Sequence, residues 1–202
     1  MIKTRIGDIL TLQRGILVHG CNARGVMGAG IARLIRDQWP TVYATYRRRY
    51  GQAQLQLGDI IPVGGHDPAA PAVLRRHGDL VCTIDTGMPA GLIVVNAITQ
   101  YDFVGSGGGN GDEDEVRVHV DYDAVEAAFL RVKLLARDSG LPVHFPLIGC
   151  GLAGGSWAKV SARIESALGP DADATLWLLP GMRAPGETGT AVPAGASQGL
   201  LL

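Results

Sequence analysis

Gly15-Ile-Leu-Val18-His-Gly-Cys-Asn22-Ala-Arg-Gly25-Val-Met-Gly28-Ala-Gly30-Ile-Ala32 passes from an apolar run of strand character, through a glycine-rich turn, into a segment with helical periodicity. The same progression recurs near the other end, in Val143-His-Phe-Pro146-Leu-Ile-Gly149-Cys-Gly151-Leu-Ala-Gly154-Gly155-Ser-Trp157. A glycine turn at a helix N-terminus presents backbone N–H groups without intrahelical partners, and with the helix dipole these favour a phosphate or pyrophosphate. A single such turn is usually only a turn. Two in matched strand and helix contexts point to a clamp that grips a diphosphate from both sides.

Working outward, Ile2 to Ile6 alternates like a half-buried strand, and Gly15 to Val18 is more continuously apolar. The helix opened by the first turn carries Ile31, Leu34 and Ile35 on one face and is interrupted by Pro40. Thr41 to Tyr50 reads as a second helix, stopped by Gly51, whose Tyr43, Tyr46 and Tyr50 form core or groove wall. Strands are expected at Asp59 to Val63, Leu80 to Ile84 and Leu92 to Ile98, with Gly64 to His77 a surface loop. Asp123-Ala-Val-Glu126 resembles a capping box, followed by the apolar stripe Val125, Phe129, Val132 and Leu135, until Gly140 and Pro142 end the helix. Trp157, Val160, Ile164 and Leu168 mark a last helix, and Ala174 to Leu179 a last strand. Such alternation predicts an α/β fold, a three-layer α/β/α sandwich around a mixed, largely parallel sheet. In such sheets ligands bind outside the carboxyl ends of the strands, where both glycine turns fall.

The 202 residues suit one α/β domain, expected over residues 1–180. From Arg183 onward Pro, Gly, Ala, Ser and Thr dominate, so residues 181–202 read as a disordered tail. A formal net charge of -1 supplies no global positive field, so extended nucleic acid is not an expected partner. Cys21, Cys82 and Cys150 are widely separated and odd in number, which argues against a disulfide framework or a metal site and suits a cytoplasmic protein. The early charges of Met1-Ile-Lys-Thr-Arg5 do not read as a signal peptide, and no apolar run approaches the ~18 residues of a membrane span.

The glycine turns do not complete a dinucleotide fingerprint. In Gly28-Ala-Gly30-Ile-Ala-Arg33 the third glycine position holds Arg33, and no ribose-binding acid follows at the right distance. The lysine of a P-loop is also absent. Taken in order, Gly7-Asp8-Ile9, Val18-His-Gly-Cys-Asn22 with Gly25 to Ala32, Asn96-Ala-Ile-Thr-Gln100, and Phe145 to Trp157 together resemble a macro domain over about residues 1 to 180. The resemblance is nearest to the branch containing ADP-ribose 1″-phosphate phosphatases and ADP-ribosyl-glutamate hydrolases, phage-type members included.

The resemblance implies ADP-ribose or a derivative as ligand; no cofactor is expected, and no metal either, since no His, Cys, Asp and Glu cluster has ligand spacing. Asp8 matches the acid that accepts from the adenine amino group, with Ile9 beside it; an ionised carboxylate is acceptor-only and suits that amine. Asn22 matches the asparagine at the distal ribose, where an amide can both donate and accept. Gly28, Ala29, Gly30 and Ile31 match the first phosphate loop, and Gly149, Cys150, Gly151, Leu152, Ala153 and Gly154 the second. The glutamate-specific hydrolases carry a lysine and an aspartate where this chain has Gln100 and Ala153. Glutamine cannot form an adduct through an amine and alanine cannot shuttle a proton, so that mechanism does not transfer.

The leading expectation is hydrolysis of ADP-ribose 1″-phosphate, with Asn22 and Gln100 as catalytic residues orienting a bound water. An ADP-ribosyl hydrolase acting on protein or nucleic acid, and a noncatalytic ADP-ribose reader, are the alternatives. His19 and His144 read as structural histidines. His119 and Asp121 stand near a helix start and could face the distal ribose, with Asp121 alternatively capping that helix. Gly105 to Glu115, with Asp112-Glu-Asp-Glu115, reads as a flexible acidic loop directed away from a diphosphate or moving aside.

Overall fold

In β2 (Arg14–Asn22) every residue from Gly15 to Val18 is buried, because both faces of the strand are covered. Ile16 and Val18 pack with α3 (Tyr122–Ser139) and α4 (Trp157–Leu168), while Leu17 packs with Ile35 of α1 (Gly30–Gln38) and Trp39, beside α2 (Pro40–Gln52). The remaining strands are β1 (Lys3–Ile6), β3 (Ile60–Gly65), β4 (Arg75–His77), β5 (Leu80–Asp85), β6 (Gly91–Gln100), β7 (Val143–Phe145) and β8 (Ala174–Leu178). The computed structural model describes residues 2–52, 55–66, 75–77, 80–103 and 118–182.

Within those residues the sheet runs β1-β8-β7-β2-β6-β3-β5-β4. The first five strands in that order are mutually parallel, β3 is antiparallel to β6, β5 parallel to β3 and β4 antiparallel to β5. This is the expected three-layer sandwich with a mixed, largely parallel sheet. β7 lies on one side of β2 and β6 on the other, and the helices after β2 and β7 pack on opposite faces. The carboxyl ends of β2 and β7 therefore flank a crevice of the kind that receives ligands in open α/β sheets.

The helices follow their apolar periodicity. Val125, Phe129, Val132 and Leu135 are fully buried, and Phe129 meets Phe145 edge to face with ring centroids 5.4 Å apart. Of the two caps the sequence offers for α3, Asp121 is the one formed, accepting from the Ala124 N–H at 2.8 Å; Asp123 lies inside the helix, which starts two residues earlier than a capping box at Asp123 would place it. Other expectations change. Leu34 is 41% exposed, so the buried stripe of α1 reduces to Ile35 with Ile31 partly covered. Gly51 does not stop α2, which continues to Gln52, and Pro40 begins that helix, where its missing N–H costs nothing. All four residues of β1 are exposed rather than alternately buried; the strand lies at the edge of the sheet, with β8 its one neighbour among the described strands. Lys3 pairs with Asp173 at 2.8 Å and Arg5 lies over the Trp177 ring at 4.4 Å, charges that discourage further strand pairing on that edge.

The expected loop from Gly64 to His77 is partly strand, since β3 continues to Gly65 and β4 covers Arg75–His77. The acidic loop at 105–115 and the tail from 183 lie outside the described residues. No described helix is long and apolar enough to cross a membrane.

Candidate functional site at the carboxyl edge of the sheet

Five parallel strands end along one edge, which sets the order of the candidate residues. Asp8 follows β1, the second glycine loop follows β7, Asn22 ends β2 with the first glycine loop after it, and Gln100 ends β6. From β1 to β2 is three strand spacings, roughly 14 Å at ~4.8 Å each. A register shift between Cys21 and Asn22 sets Asn22 opposite Gln100, so the two residues expected to act together are neighbours on adjacent strands.

The side chain of Asn22 is largely committed to its own loop. Its Oδ1 accepts from the Arg24 N–H (3.0 Å), the Val26 N–H (3.2 Å) and the Tyr46 hydroxyl (2.9 Å), and its Nδ2 donates to the Val26 carbonyl (2.7 Å). Tyr46 also reaches the Asn22 carbonyl and is fully buried, so this tyrosine of α2 belongs to the core and to the loop's support. One amide hydrogen of Asn22 remains for a ligand. Gln100 Nε2 donates to the Asp102 carbonyl at 2.7 Å, and the Gln100 carbonyl accepts from the Ala23 N–H at 2.9 Å, tying the end of β6 to the loop after β2.

Beyond Asn22 the first loop offers donors. The N–H groups of Gly28, Ala29, Gly30, Ile31 and Ala32 have no partner among the described residues, and the N-cap Ala29 supplies no side-chain cap. Gly30 adopts φ +56°, and a Cβ built there would meet nothing within 4 Å. The second loop is similar: Gly149, Gly151, Leu152 and Ala153 keep unpartnered N–H groups among the described residues, and Gly151 is likewise open. Turns inside this loop run from Gly155 N–H to the Gly149 carbonyl (2.7 Å) and from Gly154 N–H to the Gly151 carbonyl (3.0 Å). The Ala153 carbonyl accepts from the His119 N–H at 2.8 Å, so His119 sits between the second loop and the end of β6, where Val120 bridges Gln100.

The other expected residues divide by burial. Asp8 is exposed; its Oδ1 accepts from the Leu10 N–H at 2.9 Å, capping a short 3-10 turn, Ile9–Thr11. Ile9 is 4% exposed and its side chain belongs to the core. Cys150 is half-buried, and burial pushes its thiol up to about 12, so it stays protonated and donates to the Ile148 carbonyl at 3.3 Å. Among the described residues no group of three His, Cys, Asp or Glu side chains is placed to hold a metal ion.

His19 and His144 are structural. His19 is fully buried on β2, with Nε2 2.8 Å from Asn96 Oδ1. Asn96 Nδ2 faces the Val42 and Ile61 carbonyls, which leaves Oδ1 to accept and assigns the proton to His19 Nε2. Burial lowers the His19 pKa to about 4. His144 Nδ1 accepts from Trp177 Nε1–H at 3.1 Å, and burial lowers its pKa as well.

The sequence reading passed over a group at the β6 end. The Arg24 guanidinium lies over the Tyr101 ring at 4.6 Å, and its Nη2 is 3.5 Å from Asp102 Oδ2. A lone arginine and a Tyr-Asp pair far from it in sequence carry little signal, and the strand pairing that unites residues 24 and 101 to 102 is long-range.

No protein-family model and no curated protein sequence matches the chain. Solved structures do. The macrodomain of Mycobacterium tuberculosis DarG superposes with a TM-score of 0.62 at 23% identity, over 88% of this chain and 97% of that one. A macrodomain protein from Streptomyces coelicolor gives 0.60 at 24% identity, covering 88% and 99%. Thermosipho africanus DarTG, solved in complex with ADP-ribose, gives 0.61 at 18% identity, over 91% of this chain and 43% of that one. At these identities the likeness is one of fold, and the fold is that of a macrodomain.

Proposed function

We propose that the chain binds ADP-ribose along the carboxyl edge of its sheet and hydrolyses ADP-ribose 1″-phosphate to ADP-ribose and phosphate. The observation that carries the reading is the pair of glycine loops at the ends of adjacent strands, each with N–H groups unpartnered among the described residues and no acidic side chain in the helix turn that follows. Such donors stabilise a diphosphate by charge-assisted hydrogen bonds at helix N-termini. The Thermosipho protein of the same fold was solved with ADP-ribose, which supports that choice of diphosphate.

Adenine then lies at Asp8, the diphosphate between the loops and the distal ribose over Asn22 and Gln100. The remaining Asn22 N–H and the Gln100 carboxamide position a water for attack on phosphorus. The water oxygen bonds to phosphorus as the bond from phosphorus to the C1″ oxygen breaks, the C1″ oxygen takes the proton that the attacking water loses, and inorganic phosphate leaves. Because Gln100 and Ala153 replace a lysine and an aspartate, release of a glutamate-linked ADP-ribose is expected to be slower. Residues 1–180 would form the binding domain, in the cytoplasm.

Calorimetry with ADP-ribose tests binding. Asp8→Ala should weaken it by about 1.5 to 3 kcal/mol if the carboxylate receives the adenine amine. Phosphate release from ADP-ribose 1″-phosphate, compared with ADP-ribose release from a modified carrier, then decides the reaction. Carrier cleavage without phosphatase activity makes the chain an ADP-ribosyl hydrolase, and binding without turnover makes it a reader. Phosphatase activity should persist in excess EDTA.

A further inference from the structure

We propose that Arg24 is the specificity residue for an anionic group on C1″ of the distal ribose, held ready for it by Tyr101 and Asp102. The inference rests on the orientation of ADP-ribose given above, which brings C1″ to the Asn22 and Gln100 end of the site.

The geometry supplies the three things such a residue needs. Location comes first: the Arg24 N–H donates to Asn22 Oδ1 at 3.0 Å, and the neighbouring Ala23 N–H donates to the Gln100 carbonyl at 2.9 Å, so Arg24 is rooted beside both residues at the distal end. Preorganisation comes second. The guanidinium is stacked 4.6 Å from the Tyr101 ring centroid, which restricts a side chain otherwise rich in rotamers while leaving its in-plane N–H edge available. Spare donor capacity is the third. The contact to Asp102 Oδ2 is 3.5 Å long and engages one amino group of a guanidinium with five N–H donors, and Arg24 remains 44% exposed. A planar fork in that state matches two oxygens of a phosphate monoester, which a lysine ammonium would meet as a point charge.

Asp102 has a second consequence. Its carboxylate also accepts from the Phe103 N–H at 3.2 Å and so is fixed near Arg24. It holds the guanidinium when no anion is bound and competes with an incoming one. A ligand with a free C1″ hydroxyl gains nothing from displacing that contact. A ligand bearing a phosphate there replaces a long ion pair with a bidentate one. Arg24 and Asp102 together would therefore discriminate the phosphate ester from ADP-ribose, the product of its hydrolysis.

The test compares two ligands on the same variants. Arg24→Ala should weaken ADP-ribose 1″-phosphate by about 10- to 100-fold, the range for a hydrogen-bonded charge, while changing ADP-ribose affinity by less than about twofold. Arg24→Lys should recover part of that loss, and Asp102→Asn should tighten the phosphorylated ligand alone. Steady-state kinetics should show the Arg24→Ala loss in KM as well as kcat/KM, with chemical shifts of the Gly28 to Ala32 amides on ADP-ribose binding unchanged. Equal loss for both ligands would mean that Arg24 merely shapes the loop and would overturn the proposal. Unchanged affinity for both would overturn it too. Wild-type protein that binds no ADP-ribose would overturn the underlying reading of the site and this inference with it, a result separable from the others because it precedes any variant.

Discussion

At the end of β2 the chain is held by side chains: Asn22 gathers the N–H groups of residues 24 and 26, and Tyr46 reaches across from α2 to secure it. At the end of β7 the chain is held by the lack of side chains. A Cβ on Gly149 would lie 2.6 Å from Val120 Cγ2, and one on Gly155 would lie 2.4 Å from Val120 Cγ1 and 2.6 Å from the Gly149 carbonyl oxygen. Val120, which bridges Gln100 just before the N-cap of α3, is thus a wall against which the second loop folds. The two loops present similar rows of N–H groups, yet the first leans on side-chain hydrogen bonds that a mutation can delete, beside one tight glycine, Gly25, whose Cβ would lie 2.8 Å from Tyr50 Cγ, while the second leans on backbone turns packed into space that a mutation can fill. The glycines with open space around them, Gly30 and Gly151, are distinct from the glycines that fix shape.

The largest expected effect comes from placing a carboxylate among those donors. Gly30→Glu and Gly151→Glu should each lower ADP-ribose affinity by at least ~100-fold, since each sets a charge against the diphosphate. Gly30 adopts φ +56°, so a side chain there adds backbone strain, whereas Gly151 has open space and no positive φ. Gly151→Glu is accordingly the cleaner experiment, read by calorimetry alongside circular dichroism. A folded Gly151→Glu variant with wild-type affinity would remove the second loop from the site and leave the comparison without its shared purpose.

Next in size is the acid response of the strand beneath the first loop. His19 has an ordinary pKa of 6.5 and burial lowers it to about 4, so the unfolded chain binds more protons than the folded chain between those values. Stability is fully present above pH 6.5, falls as pH drops through the window, and has lost on the order of 3 kcal/mol by pH 4. Urea midpoints measured across that range should decline in the wild type and flatten in His19→Gln. An equal decline in both would assign the acid response to other groups and weaken the link between the β2 interior and the loop above it.

Gly155→Ala probes the sterically held loop. Val120 can shift by a rotamer but the Gly149 carbonyl cannot, so relief is partial and the cost should be about 2–3 kcal/mol, a Tm lower by roughly 4–12 °C. Val120→Ala in the same chain should return part of the loss. Full rescue would show that the side-chain contact alone matters, and no destabilisation would refute the steric account.

Much of this was legible in residue order because the two signals were local. An apolar run, a glycine turn and an amphipathic helix lie contiguous at both loops, so sandwich and crevice follow without long-range information. The errors lie where distant residues decide. β1 carries strand-like alternation but lies at the edge of the sheet, with β8 its one neighbour among the described strands, and nothing within residues 2 to 6 records that. Asp121 caps α3 although the Asp123 to Glu126 spacing imitates a cap, because the Thr99 carbonyl takes the Asp121 N–H (2.8 Å) and fixes where the helix begins. The pairing of Asn22 with Gln100 depends on a register shift, and the grouping of Arg24 with Tyr101 and Asp102 on the pairing of β2 with β6. Tyr46 looked like wall or core from its helical spacing; its hydroxyl's service to Asn22 required the packing of α2 under the loop.

Tyr46→Phe should produce the smallest effect and makes the sharpest distinction. The ring stays in place, so core packing is retained and the change is confined to one hydroxyl that reaches both Asn22 oxygens. Asn22 Oδ1 keeps its two backbone donors, so the loss should be that of one buried hydrogen bond, about 1–1.5 kcal/mol, with Tm lower by roughly 2–6 °C. If side-chain bonds hold the first loop, hydrogen exchange should quicken at the Arg24 and Val26 amides, which donate to Asn22, while the Gly154 and Gly155 amides of the second loop exchange as before. ADP-ribose affinity should fall by less than tenfold, because the donors of residues 28 to 32 belong to the helix start rather than to the Asn22 turn. Faster exchange in both loops would mean that they are one cooperative unit, and the contrast between a bonded loop and a packed one would have to be given up.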